Sequence, residues 1–75
     1  ASGLIYYIDM NQRYHYVSTA GEMTTVFEDY INDSIEACTD FVANEDYKGA
    51  VLEMIDWAKK AVAEADSNAQ APTKP

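Results

Sequence analysis

Seventy-five residues make one small domain, whose core contributes only ~3–5 kcal/mol net. Thirteen acids against five bases give a net charge of −8. Direct contact with nucleic acid or an anionic membrane is therefore not expected, because both need a basic patch. A hydrophobic content of 48% argues for a globular chain rather than a disordered one. A single cysteine excludes an internal disulfide and favours a reducing, cytoplasmic setting, with an intermolecular disulfide left open. No apolar run approaches the ~20 residues that span a bilayer.

Residues 1–3 read as a frayed end. Leu4 to Asp9 and Arg13 to Ser18 are rich in Tyr, Ile and Val, which favour strands, and Met10 to Gln12 between them is polar enough to turn. This predicts a β-hairpin. Alternation puts Leu4, Tyr6 and Ile8 on one face and Ile5, Tyr7 and Asp9 on the other. Neither face is clearly polar, so helices are expected to cover one and a partner the other. The rival reading is a first helix through Tyr7, Met10, Tyr14 and Val17, which would make a three-helix bundle.

Thr19 to Ala43 reads as one amphipathic helix. Met23, Val26, Phe27, Tyr30, Ile31, Ile35, Cys38, Phe41 and Val42 form its apolar stripe. Glu22, Asp29, Asp33, Glu36 and Asp40 recur on the opposite face, and no Lys or Arg interrupts the stretch. Thr19 and Glu22 have the capping-box spacing and mark the helix start. Asn44 is a break, suited both to the C′ position of this helix and to the N-cap of the next. A second helix is predicted from about Glu45 to Asp66, with Tyr47, Val51, Met54, Ile55, Ala58, Ala61, Val62 and Ala65 as its apolar face. Leu52 lies off that face. Glu53, Asp56, Lys60 and Glu64 form a mixed polar face on which Lys60 is placed to pair with Asp56 and Glu64.

The fold class is thus α+β: an N-terminal two-stranded hairpin packed on an antiparallel helical hairpin, with residues 1–66 as the domain and 67–75 as a disordered tail. The run from Asn44 to Val51 resembles the helix–turn–helix of a tetratricopeptide unit, but the ~34-residue repeat does not recur. The run from Asp9 to Ser18 is similar to the opening hairpin of PAS sensor domains, whose further strands do not follow. No family is assigned.

Little in the sequence points to catalysis or a cofactor. His15 is the sole histidine and reads as packed or surface-exposed, and Cys38 falls on an apolar helix face as inert core. Carboxylate-bridged metal sites want Glu-x-x-His, which does not occur. Asn44, Asp46 and Gly49 mimic the start of a calcium loop, but Lys48 holds a ligand position and Ile55 stands where a bidentate Glu belongs. No metal, cofactor or enzymatic activity is expected.

The candidate partner-binding residues are the acids Glu22, Asp29, Asp33, Glu36 and Asp40, together with Tyr6, Tyr14 and Tyr16, since tyrosine is enriched at interfaces. The acids have a plainer reading as a solvated helix face. Repulsion between neighbouring acids costs only ~1 kcal/mol in all, which a small domain tolerates. The absence of interspersed lysines favours the binding reading. The expectation is a non-enzymatic module, such as a phage-type inhibitor of the anti-CRISPR or nucleic-acid-mimic kind, docking on a basic surface of a larger protein. The alternatives are an accessory subunit held by its tyrosine-rich hairpin and a small sensor or enzyme domain. The free edges of a two-stranded sheet also make a homodimer the expected state.

Overall fold

A computed structural model describes residues 2–70. Strand β1 (Gly3–Asp9) and strand β2 (Tyr14–Ala20) form an antiparallel hairpin. Helix α1 (Glu22–Phe27), a 3-10 turn (Glu28–Tyr30), helix α2 (Ile31–Ala43) and helix α3 (Tyr47–Gln70) follow. The architecture is α+β as expected, and the three-helix alternative is not formed.

Tyr6 stands opposite Val17, Tyr7 opposite Tyr16 and Ile8 opposite His15. Alternation therefore turns Leu4, Tyr6, Ile8, His15 and Val17 toward the helices and Ile5, Tyr7, Tyr14 and Tyr16 toward solvent. The hairpin turn needs no glycine. Asp9 Oδ1 accepts the backbone N–H groups of Asn11 at 3.1 Å and Gln12 at 3.2 Å, a side chain standing in for a backbone turn. Arg13 then closes the turn at φ 58°, and its guanidinium pairs with Glu45 at the corner between α2 and α3.

The first helical stretch reaches Ala43 as expected, but it begins at Glu22 rather than Thr19 and a 3-10 turn interrupts it. Thr19 and Ala20 remain in β2, where Thr19 is held in register with Leu4, and this excludes the capping box with Glu22. Gly21 at φ 65° and ψ −142° makes the turn out of the strand, a conformation open to a residue without Cβ. The Met23 amide is served from elsewhere, while the Thr24 N–H bonds the Gly21 carbonyl at 3.1 Å. Ser2 Oγ accepts the Met23 N–H at 2.9 Å and bonds the Ala20 carbonyl at 3.4 Å. The entry to β1 thus caps the helix that follows β2. The helical path then tightens over Glu28–Tyr30, between Phe27 (φ −105°, ψ −3°) and Tyr30 (φ −110°, ψ 0°). This re-phases the chain so that Phe27 stays fully buried while the Tyr30 ring meets Trp57 at 5.8 Å.

The corner after α2 also departs from expectation. Asn44 is the C-cap, its backbone N–H and side-chain amide both bonding the Asp40 carbonyl at 3.1 and 2.9 Å. Glu45 takes the left-handed conformation at φ 62°. Glu45 N–H bonds Val42 O at 3.0 Å and Asp46 N–H bonds Phe41 O at 2.8 Å, the two bonds of a Schellman closure. Asp46, not Asn44, then caps α3, its Oδ1 accepting the Gly49 N–H at 3.0 Å. Helix α3 starts at Tyr47 and continues through Gln70, so 67–70 is helical rather than tail, and 71–75 lies outside the described residues.

Val17, Phe27, Cys38, Val42, Ala50, Met54 and Ala61 form the core, each 2% exposed or less. Small residues let α2 and α3 approach closely. At Gly49 a Cβ would lie 2.6 Å from both Phe41 Cδ1 and Asp46 Oδ2. Gly49→Ala should therefore disturb a packed ring and the helix cap together, costing ~1–3 kcal/mol. In calorimetry that is a fall in Tm of roughly 4–8 °C per kcal/mol. Asp46→Ala should remove only the cap, at ~1 kcal/mol. Equal losses in the two variants would show that the Phe41 contact is not tight.

Candidate functional site

Asp33, Glu36 and Asp40 lie within two turns of α2 and are all exposed. Asp29 sits on the 3-10 turn and Glu22 is the first residue of α1, both also exposed. The five acids thus occupy three consecutive segments rather than one straight ridge, and α2 carries the dense part. None of the five makes an ion pair among the described residues, where the one such pair is Arg13 with Glu45. The last turn of α2 holds no basic residue, so the negative end of the helix dipole reinforces Asp40.

The hairpin divides the tyrosines. Tyr14 and Tyr16 face outward with Tyr7 and Ile5, making an exposed aromatic and aliphatic face. Tyr6 is on the other side, half-buried against the core. The strand alternation separates Tyr6 from Tyr7, but two faces of equal apolarity do not announce which one packs.

The inner face carries a chain of hydrogen bonds. Tyr6 Oη donates to His15 Nδ1 at 2.8 Å, and the two rings meet edge to face at 5.8 Å. Thr39 Oγ1 donates to the Ile35 carbonyl at 2.8 Å, so its oxygen accepts from His15 Nε2–H at 3.2 Å. Both ring nitrogens are engaged and the imidazole is neutral. Burial lowers the His15 pKa below its ordinary value of 6.5. Burial also raises the Tyr6 phenol far above its usual range, with neighbouring Cys38 adding to the effect. The Cys38 thiol, 0% exposed, is likewise pushed up by burial and donates to the Ala50 carbonyl at 3.4 Å. These groups are placed to hold β1 and β2 on α2.

A second cluster joins the 3-10 turn to α3. The Tyr30 hydroxyl donates to the Glu64 carboxylate, and this bond, then burial, raises its pKa. Trp57 Nε1–H donates to Glu53 Oε2 at 3.1 Å. Lys60 Nζ lies 5.1 Å from the Trp57 ring centre and 5.7 Å from that of Tyr30, a cation–π contact in place of the expected pairs with Asp56 and Glu64. Among the described residues no group of three or more His, Cys, Asp and Glu is arranged to hold a metal, and no helix is long and apolar enough to cross a membrane. Asp46 and Gly49, which suggested a calcium loop, are occupied with the α3 cap.

The neutral His15 sets the sign of a pH effect. Below its ordinary pKa the unfolded chain takes up a proton that the folded chain resists, so stability held above that pKa is lost as pH falls toward the lowered folded value. Tm should drop more steeply between about pH 7 and about pH 5 in the native chain than in His15→Gln, which shares every surface acid but lacks the titrating ring. Parallel profiles would remove His15 as the cause.

The chain matches no family model, and no curated protein or solved structure is significantly similar to it.

Proposed function

We propose that this protein is a non-enzymatic binding module whose acidic α2 face docks on a basic surface of a larger protein. Such docking would resemble a nucleic-acid mimic or a phage-type inhibitor of the anti-CRISPR kind occupying a basic groove. The observation that carries the reading is the exposure of Asp33, Glu36 and Asp40 without an ion pair among the described residues, while Arg13 is engaged by Glu45 and Lys60 by two aromatic rings. Asp29 extends the negative surface along the preceding turn. An acidic ridge of this kind speeds encounter with a basic partner and makes binding sensitive to salt. A cytoplasmic setting is part of the proposal, supported by a free and buried Cys38.

A second reading is favoured by the outward sheet face. Ile5, Tyr7, Tyr14 and Tyr16 together suit a structural subunit held in a complex by aromatic contacts, with the acids serving only as solvated surface.

Capture of partners from source lysate at low and high salt separates the two. Under the first reading Asp33→Lys with Glu36→Lys abolishes capture of a salt-labile basic protein while the circular dichroism stays unchanged. Tyr7→Ala with Tyr16→Ala then has the smaller effect. Capture that survives the double charge reversal overturns the acidic-docking reading. A salt-stable partner lost with the tyrosines would establish the second.

A further inference from the structure

Helix α3 has more apolar surface than its own fold covers. One side packs inward through Ala50, Met54 and Ala61, and another holds the Trp57 and Lys60 cluster. The remaining side presents Lys48, Leu52, Ile55, Lys59, Val62 and Asp66 at alternating steps of four and three residues. That is the spacing of a helix–helix seam. Leu52 is 52% exposed, Val62 44% and Ile55 42%. Beside the seam an open groove of about 260 Å³ runs between α3 and β1, with Val51 and Ile55 on one wall and Leu4 and Tyr6 on the other.

The seam is its own complement in reverse. When two copies of α3 are laid antiparallel about position 57, Lys48 of one stands opposite Asp66 of the other and Leu52 opposite Val62. Ile55 falls opposite the aliphatic stem of Lys59, with the ammonium free to reach solvent. Both charged contacts are of opposite sign, although the whole chain carries −8. The acids of α2 lie on a different helix and are not part of this surface.

We propose that a second copy of this chain covers the α3 face, forming a two-fold antiparallel dimer. Reciprocal Lys48–Asp66 contacts fix its register, and Leu52, Ile55 and Val62 form its apolar centre. A two-fold interface uses the same patch on both copies, so each contact occurs twice and each substitution acts twice. Ile55 also lines the groove beside the seam. This assembly differs from one formed through the tyrosine face of the hairpin, and it is independent of what binds α2.

Sedimentation equilibrium of the full chain over a range of concentrations tests it. Lys48→Glu alone and Asp66→Lys alone each set like charges face to face and should raise the dimer dissociation constant by about tenfold or more. The double variant Lys48→Glu with Asp66→Lys restores opposite charges and should restore the native constant. Ile55→Glu should leave monomer. All of these positions are exposed in the single copy, and circular dichroism verifies folding. If Ile55→Glu does not fold, the charge variants carry the test. A native chain that stays monomeric, a dimer indifferent to Ile55→Glu, or a charge swap that fails to restore association overturns the proposal.

Discussion

The neutral imidazole of His15, held between Tyr6 and Thr39, is the tie on which the α+β arrangement depends. A two-stranded sheet is marginal in water and needs another layer to rest on. Here that layer is α2, and the link between them is polar as well as apolar. Each hydrogen bond in such a chain contributes ~1 kcal/mol net, and His15 makes two, to half-buried Tyr6 and exposed Thr39. Against a net stability of only ~3–5 kcal/mol, losing the ring would remove a large share. Val17, two residues on along the same strand face, and Phe27 belong to the dry core that this face rests on, both essentially unexposed.

The helices are in turn held by groups from outside themselves. Ser2 reaches from the start of β1 to the first turn of α1, so the sheet caps the helix that leaves it. Arg13, at the hairpin turn, pairs with Glu45 at the helical corner. An exposed pair of this kind adds only ~0–1 kcal/mol. Glu45 accepts a left-handed backbone that costs a side-chain-bearing residue ~1–2 kcal/mol. The two Schellman bonds and the Asp46 cap are what the corner gains. Small residues follow at once, and Gly49 and Ala50 let Phe41 and Cys38 pack against the new helix.

Much of this was legible in the sequence because periodicity is local. The alternation of Leu4 through Ile8 and the spacing of Cys38, Val42, Met54 and Ala61 named the hairpin, the helices and most of the core. What was not legible depended on long-range choice. The Thr19–Glu22 box is a valid cap in isolation, but Thr19 was already committed to the ladder opposite Leu4. The 3-10 turn carries no Gly or Pro and sits where the Phe27 and Tyr30 rings meet. Asn44 is the better left-handed residue by type, yet it serves as the C-cap on the Asp40 carbonyl and Glu45 takes the left-handed position. For the candidate site, the exposure of the acids followed from helical phase. Their division among three segments did not, and the burial of Tyr6 with the exposure of Tyr7 rested on a choice between two equally apolar faces.

Residue-resolved native-state hydrogen exchange is the measurement that meets the dependence of sheet on helix most directly. With the hairpin bound to α2 through His15 and Val17, strand amides around Tyr6 and Val17 should exchange through the same opening as amides around Cys38 and Val42. The free energy should be common to both. Strand amides that exchange through a separate, lower-energy opening, while α2 and α3 remain protected, would contradict it.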